Sequence, residues 1–345
     1  MTNIAAIRKF ATQVINADGL QIGTPVILEE ISFVPIIKQE IPREERDYLT
    51  LSEACSENSC LIIDKGTEVN HIIFQNNCEF PILIEEGEIF LGKGTQDRIC
   101  IGIVMVQPGE KIEVPVKCVH APHHLSSGAA FGYGGKCSRV MLNEMRAMKR
   151  GHAVHRAAVS TISQARVWQN VAQETIEEEE VADQTQYTQA VKARQKRAKQ
   201  RSEKLQFPSS TIGIIVIDPD GNVKGLEIHR SPHNFQVRKD GILESLETNV
   251  SWKKSGKGSY FKAQETVKTL FKNLSKIKEG KDALKQVEVD GIVLNMAGIA
   301  GEVLTSKFYS AHCPECGTAK PRKKVCPHCG FEEEVSEVMA FMSMA

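Results

Sequence analysis

The stretch from Ile99 to Val119 decides the fold class. It reads Ile99-Cys-Ile-Gly-Ile-Val-Met-Val106, then Gln-Pro-Gly-Glu, then Lys111-Ile-Glu-Val-Pro-Val-Lys-Cys-Val119. The second run alternates apolar and polar residues, as a strand with one covered face does. Pro108 and Gly109 suit the centre of a type II turn, so we predict a β-hairpin. Pro115 predicts a sheet edge, because proline donates no hydrogen bond to a neighbouring strand.

Further short strands with turn signals flank this stretch on both sides. Residues 81–84 and 89–91 predict a second hairpin that turns through Glu85-Glu-Gly-Glu88. Ile212 to Ile217 and Asn222 to His229 predict a third, across Asp218-Pro-Asp-Gly221, where proline and glycine favour a turn. Two more strands are expected at 287–294 and 302–309. Such spacing favours a β-rich, sandwich-like core.

Helices are predicted in two places. Residues 138–206 contain one glycine and no proline and are rich in Ala, Gln, Glu, Arg and Lys, which indicates a long charged helical segment. Residues 261–278 place Val267, Leu270, Phe271 and Leu274 on one amphipathic stripe. We therefore predict an α+β fold. Its domains are a core over 1–310, a zinc ribbon over 311–334 and an apolar tail over 335–345.

The ribbon is predicted from a cysteine motif. Cys313-Pro-Glu-Cys316-Gly317 and Cys326-Pro-His-Cys329-Gly330 place two C-x2-C pairs nine residues apart. Each pair can present two sulfurs to one metal ion, and four thiolates form the closed tetrahedral shell of a structural Zn²⁺ site. Iron is the main rival, because thiolate ligation alone does not exclude it.

Composition excludes some classes of function. The chain has 345 residues, with 43 Lys and Arg against 43 Asp and Glu, so the whole protein is no polycation. No secretory signal is visible, and no apolar run approaches the roughly 18 residues of a membrane span. We expect a cytoplasmic protein with reduced thiols and no membrane contact.

The zero net charge conceals a strongly cationic stretch. Six basic residues fall within ten positions without an acid: Lys192, Arg194, Lys196, Arg197, Lys199 and Arg201. Their spacing distributes charge around a helix, which is typical of a solvated helical surface. A contact with the phosphate backbone of a nucleic acid is the alternative.

Two groups of polar residues are candidates for ligand binding. Glu88, Lys93, Gln96, Asp97 and Arg98 fall in a Gly-rich region between strands, where Arg98 could bind a carboxylate or phosphate. Alternatively, Asp97 and Arg98 pair with each other and Gln96 binds the loop backbone. The imidazoles of His120, His123 and His124 follow a strand and could act as metal ligands or as an acid–base group.

A set of short motifs resembles one family. They are Tyr48-Leu-Thr-Leu-Ser-Glu-Ala54, Gly87-Glu-Ile-Phe-Leu-Gly92, Gln96-Asp-Arg98, Val114-Pro-Val-Lys-Cys-Val119 and Gln164-Ala-Arg-Val-Trp168. Their order is similar to that of the ADP-ribosylglycohydrolase- and rhodanese/phosphatase-associated protein domain. That family tends to have an acid and an Arg-Trp pair after Val119, where this chain has His120-Ala-Pro-His123-His124. The family name implies a link to ADP-ribose by association only.

Three functions are compatible with these observations. The first is a non-enzymatic binding or adaptor protein that docks a protein partner, or a second copy of itself, through the ribbon and the Met-rich tail. The second is an enzyme or sensor for a nucleotide or ADP-ribose-like ligand that uses the Gln96-Asp97-Arg98 loop. The third is an RNA- or ribosome-binding protein that uses the basic segments.

Overall fold

The fold is described from a computed structural model over residues 3–39, 46–66, 68–119, 126–149, 162–177, 187–248, 252, 260–276, 292–296, 299–335 and 338–344. Within these ranges the protein has three sheets and seven helices, which confirms the predicted α+β class. The helices are α1 (Asn3–Asn16), α2 (Leu51–Ser56), α3 (Arg139–Lys149), α4 (Gln164–Glu177), α5 (Tyr187–Ser202), α6 (Pro232–Leu246) and α7 (Tyr260–Leu274). None of these helices is long and apolar enough to cross a membrane.

The strands of the described residues are short, as the sequence predicts. They are β1 (Leu20–Ile22), β2 (Val26–Leu28), β3 (Ile31–Lys38), β4 (Leu49–Thr50), β5 (Cys60–Asp64), β6 (His71–Asn76), β7 (Ile82–Ile84), β8 (Glu88–Gly92), β9 (Arg98–Cys100), β10 (Val104–Val106), β11 (Lys111–Cys118), β12 (Phe131–Lys136), β13 (Thr211–Ile217), β14 (Val223–His229), β15 (Ile292–Met296), β16 (Ile299–Ser306) and β17 (Val338–Met344).

The largest sheet has the order β1-β3-β13-β14-β17-β16-β15, with β2 also paired to β3. The predicted hairpin of β13 and β14 is confirmed, and its turn is closed by the Gly221 N–H, which donates to the Asp218 carbonyl at 3.0 Å. Helices α1 and α7 cover one face through residues such as Phe10 and Phe271, and α6 covers the other through Phe235. The apolar stripe predicted for α7 is therefore a core stripe.

The opening stretch keeps the predicted turn, where Gly109 has a φ of +74° and the Glu110 N–H donates to the Gln107 carbonyl at 3.0 Å, and β9 pairs antiparallel with β11. The rest of the predicted hairpin does not form. Strands β9 and β10 belong to separate sheets, because the chain leaves the sheet of β9 and β11 after Cys100 and pairs β10 with β7. The predicted edge position of Pro115 is also wrong, since β11 lies between β6 and β9. Proline is tolerated there because pairing with β6 ends at Pro115 and pairing with β9 begins at Val116.

The second predicted hairpin is also wrong. Strand β7 belongs to the sheet β10-β7-β4, and β8 belongs to the sheet β12-β8-β9-β11-β6-β5. Residues 85–88 therefore cross from one sheet to the next, and Gly87 takes a φ of +83° at the crossing. The six-stranded sheet curls, because a bridge between Ile63 and Ala130 brings its two outer strands together. The crossing buries Glu85, Glu86 and Glu88.

The apolar tail is not an exposed appendage. Strand β17 lies inside the largest sheet, between β14 and β16, and Phe341 and Met342 are buried. The expectation that this tail offers a free docking surface is therefore wrong. Its Met and Phe residues are apolar because they are core residues, and nothing in their sequence pattern distinguishes a core strand from a docking segment.

Candidate metal centre and buried charge cluster

The two C-x2-C motifs form matching turns. The Gly317 N–H donates to the Cys313 carbonyl at 2.9 Å, and the Gly330 N–H donates to the Cys326 carbonyl at the same distance. Both glycines have positive φ, +67° and +74°, a conformation in which a side chain would be strained. The repeated Cys-Pro-x-Cys-Gly sequence therefore specifies the same local structure twice.

These turns bring the four sulfur atoms together. The Sγ atoms of Cys313 and Cys329 lie 3.6 Å apart, those of Cys316 and Cys326 lie 3.9 Å apart, and all four fall within 4.8 Å of one another. Thiolates about 2.3 Å from a tetrahedral zinc ion would be separated by about 3.8 Å. The four cysteines thus fit a metal ion such as zinc, and they would fill all four positions of its tetrahedral coordination shell.

The four ribbon cysteines lie in the connection between two neighbouring strands. The chain runs from β16 through the ribbon into β17, so the ribbon joins adjacent strands of the largest sheet. Buried Lys320 anchors the ribbon, since its Nζ lies 3.0 Å from Glu333, which in turn accepts hydrogen bonds from Ser310. The Arg322 guanidinium lies 4.8 Å from the ring of Phe80 in the core.

The predicted polar loop does not form one open site. The Arg98 side chain is fully buried and donates from Nη1 to the Gln96 carbonyl at 2.7 Å, and its Nη2 lies 3.5 Å from Asp64. Asp97 accepts from the Gly92 N–H at 2.8 Å. Lys93 is exposed. These contacts resemble the alternative in which the loop residues bind groups of the protein itself, except that the acidic partner of Arg98 is Asp64 instead of Asp97.

Two of the family-like motifs meet beside this loop. Gln164 at the start of α4 binds both backbone groups of Cys118: its amide nitrogen donates to the carbonyl at 2.7 Å, and its oxygen accepts from the N–H at 3.1 Å. The Cys118 thiol donates to the Gln96 side chain at 3.1 Å. The motif residues Gln96, Cys118 and Gln164 thus join strand ends to a helix. His120, His123 and His124 lie outside the described residues.

The last member of the predicted loop, Glu88, belongs to a different group that the sequence did not reveal. Seven residues that are each at most 1% exposed meet between the sheets; we call them the buried charge cluster, and they are Glu85, Glu88, Lys136, Arg139, Glu227, His229 and Arg238. They come from the sheet crossing, β8, β12, α3, β14 and α6. Because these residues come from elements that are far apart in the sequence, no local pattern brings them together.

Ion pairs connect the members of the cluster. Arg238 lies 2.9 Å from Glu85 and 3.2 Å from Glu88. Arg139 lies 2.8 Å from Glu227. The Lys136 Nζ contacts Glu85 and lies 3.5 Å from Glu227. Formally, three carboxylates face three cations, so the cluster is balanced without another ion.

The environment shifts these carboxyl groups in opposite directions. Burial raises the pKa of Glu88 to about 7, and Arg238 offsets only part of that effect. Burial also opposes ionisation of Glu227, but Lys136, His229 and Arg139 hold its pKa well below the ordinary value. The buried charge cluster thus contains one carboxyl whose pKa lies near neutral pH and another that stays ionised, a separation often found at functional sites.

Oxygen and nitrogen atoms of Glu85, Glu227 and His229 lie within 4.8 Å of one another, close enough to hold a metal ion. Lys136, however, already supplies positive charge between the two carboxylates. A divalent ion there would leave buried positive charge without compensation.

Hydrogen bonds connect the buried charge cluster to β17. The His229 Nδ1 lies 2.8 Å from the Tyr48 hydroxyl, which donates to the Ala340 carbonyl of β17 at 3.2 Å.

An exposed group at Glu68, His71 and Glu113 has similar spacing. Lys65 pairs with both of its carboxylates, at 3.2 Å and 2.8 Å. Lys65 therefore already balances the negative charge of this group. Among the described residues, the ribbon cysteines remain the stronger candidates for metal ligands.

The cationic stretch lies on α5, and its side chains divide by type. Arg194 is buried and pairs with Glu174 at 3.1 Å, while Arg197 and Arg201 pair with Glu247. The exposed members are Lys192, Lys196 and Lys199. The expectation that the charge has no preferred face is wrong, because these lysines recur at the i, i+4, i+7 spacing of a single helical stripe.

Comparison with known proteins confirms the family resemblance. Residues 19–303 match the family described as the ARG and Rhodanese-Phosphatase-superfamily-associated Protein domain, ARPP-1, and the chain belongs to this family. The match ends within β16, so the ribbon cysteines and β17 lie outside it. No curated protein and no solved structure matches the chain significantly.

Proposed function

We propose that this ARPP-1 domain protein is a non-enzymatic binding protein whose ribbon, held by a structural zinc ion, docks a partner protein. The observation that carries the proposal is the closed four-sulfur cluster at an exposed position. Four thiolates leave a zinc ion no site for water or substrate, so the ion would support structure. The tips of both turns are exposed at Glu315, Pro327 and His328.

The ribbon surface combines an apolar residue with charges. Val325 is 50% exposed and stands beside exposed Lys324, which pairs with Glu332. A shallow groove of about 550 Å³ is lined by Pro314, Phe331, Glu332, Glu333 and Glu334. Because Glu332 and Glu333 already pair with lysines of the ribbon, the apolar wall and Glu334 favour a mainly apolar protein segment that carries a basic residue. Docking through the tail is excluded from the proposal, because β17 is a buried strand.

Metal content and partner recovery test the proposal together. We expect one zinc per chain by elemental analysis and no visible absorbance of the kind that iron thiolates give. Val325→Asp should greatly reduce recovery of a protein partner in pull-downs while leaving the zinc content unchanged. Ile176→Asp, at a 62% exposed position on α4, is the matched control and should retain recovery. Equal recovery with both variants would contradict docking through the ribbon.

Nucleic-acid binding is a second candidate, favoured by the exposed stripe of Lys192, Lys196 and Lys199. Its support is narrower than the sequence implied, since the three arginines of the same stretch pair with buried or partly buried acids. Within this stretch of α5, three cations are then available to phosphates, which predicts weak, salt-sensitive binding. The Lys192→Gln, Lys196→Gln, Lys199→Gln triple variant should lose any RNA binding.

The nucleotide or ADP-ribose alternative has less support. It relies on Arg98 and Asp97 reaching a ligand, whereas both side chains have partners within the protein. Thermal shifts with ADP-ribose and NAD test it directly. Stabilisation at millimolar ligand would revive this alternative.

A further inference from the structure

Two cysteines outside the ribbon face each other across the turn that joins α2 to β5. The Sγ atoms of Cys55 and Cys60 lie 4.0 Å apart, and both residues are partly buried. A disulfide needs about 2 Å between its sulfurs. Each sulfur would therefore have to move by on the order of 1 Å for the bond to form.

The backbone holds the two residues in this position. The Glu57 N–H donates to Glu53 and the Ser59 N–H donates to Ala54, both at 2.8 Å, so the turn is closed by its own hydrogen bonds. At the far end of α2, Thr50 and Glu53 form a capping box. Cys60 is the first residue of β5 and pairs with Asn76. The proximity of the sulfurs thus results from fixed secondary structure.

We propose that Cys55 and Cys60 form a redox-active dithiol that a low-molecular-weight disulfide converts to an intramolecular disulfide. The Cys55 thiolate attacks one sulfur of the oxidant and forms a mixed disulfide, and one thiolate of the oxidant leaves. Cys60 then gives up its proton to solvent, and its sulfur attacks Cys55 Sγ, which expels the second thiolate. The protein loses two electrons and two protons, and the oxidant is reduced to two thiols.

The environment favours Cys55 as the attacking group. A hydrogen bond from Cys60 lowers the pKa of Cys55, and the same contact raises the pKa of Cys60. Access is available from the solvent side, because Ser56, Glu57 and Asn58 of the intervening turn are exposed. A thiolate near the surface with a second thiol beside it is the arrangement in which exchange is rapid.

The other core cysteines are less suited to this chemistry. Cys100, Cys118 and Cys137 are buried, and burial raises the pKa of each. Cys78 is partly buried like the pair, but its sulfur is bound to the side chain of Asn76 at 3.1 Å and to the Phe80 carbonyl at 3.3 Å. Cys78 is therefore a matched control, because its burial is similar to that of the pair but its sulfur does not face a second thiol in the described residues.

The experiment uses the full chain loaded with zinc and equilibrated with mixtures of oxidised and reduced glutathione. After acid quenching and alkylation, tryptic cleavage at Arg46 and Lys65 gives a peptide that contains Cys55 and Cys60 and no other cysteine. We expect a growing fraction of this peptide to carry no alkyl group and to be two hydrogen atoms lighter than the free dithiol peptide as the oxidised fraction of glutathione rises. On reduction before alkylation, it should return to the doubly alkylated form. Cys78 should stay alkylated throughout.

Variants test the assigned order of attack. Cys60→Ser should accumulate a glutathione adduct on Cys55, whereas Cys78→Ser should form the internal disulfide as the unmodified chain does. Alkylation of Cys55 and Cys60 equal to that of Cys78 at every glutathione ratio would overturn the proposal. So would a stable glutathione adduct on Cys55 of the unmodified chain, because Cys60 should resolve it.

Discussion

Replacing Arg238 with methionine should destabilise the protein far more than the loss of an ordinary ion pair. The Arg238 guanidinium lies 2.9 Å from Glu85 and 3.2 Å from Glu88, and it donates to the Tyr133 hydroxyl at 3.2 Å. Methionine fills similar space but supplies neither charge nor donors. Glu85 would keep Lys136 as a partner, while Glu88 would lose its nearest cation.

The magnitude follows from burial. All these groups are at most 1% exposed apart from Tyr133, so water does not replace the lost partner. Removing one member of a buried ion pair costs about 3–5 kcal/mol. We therefore expect the free energy of unfolding, from urea titration at pH 7, to fall by about that amount without a change in the denaturant slope.

An exposed pair provides the control. Arg166 and Glu144 lie 3.1 Å apart, with side chains 51% and 37% exposed. Arg166→Met should therefore cost roughly 0–1 kcal/mol. If Arg238→Met costs no more than this control, the cluster does not stabilise the fold. Adding Glu88→Gln to Arg238→Met should restore part of the loss, because a neutral amide needs no cation; no recovery would show that Glu88 and Arg238 are not coupled.

Three further predictions concern pH, metal and salt. Burial raises the pKa of Glu88 from 4.5 to about 7, so between these values the folded state retains a proton that the unfolded chain releases. The contribution of Glu88 to the free energy of unfolding should therefore fall as the pH rises across that range. Glu88→Gln should flatten this fall in urea titrations from pH 4.5 to 7.5. A zinc chelator, or Cys326→Ser, should increase amide hydrogen exchange in β17 more than in β13. Unchanged exchange in β17 would show that the pairing of β17 does not depend on the metal. Any RNA binding through the three exposed lysines of α5 should show a slope of log affinity against log salt no steeper than about −2, and a steeper slope would require other cations.

Elements whose signals are local were predicted well. The turn at Asp218-Pro-Asp-Gly221 and the stripe of α7 each depend on residues that are close in sequence. The cysteine turns belong to the same class, since glycine and spacing specify them. Strand pairing was predicted poorly because an apolar run does not specify its partner. Residues 81–91 contain two genuine strands, yet they pair with β4, β10, β9 and β12 instead of each other.

The buried charge cluster shows why charged residues in a sequence can be wrongly assigned to an exposed turn. Glu85, Glu86 and Glu88 have the composition of an exposed turn, and the prediction of a hairpin followed from that assumption. In the structure their partners come from more than 50 residues away along the chain, as the Arg238–Glu85 and Arg146–Glu86 contacts illustrate. Burial of a charge depends on those distant partners, so no window of sequence around residue 85 could have indicated it.

The ribbon and the core are structurally coupled, although the family match ends at residue 303. Strand β17 lies beyond the match, yet it fills the position between β14 and β16. Its Ser343 hydroxyl accepts hydrogen bonds from Arg139 at 3.0 Å and Arg146 at 3.3 Å, so it also completes the surroundings of the buried charge cluster. The chain reaches this position only through the ribbon. Zinc binding, worth about 10–16 kcal/mol in isolated zinc-finger peptides, would hold that connection closed and favour pairing of β17 with β16.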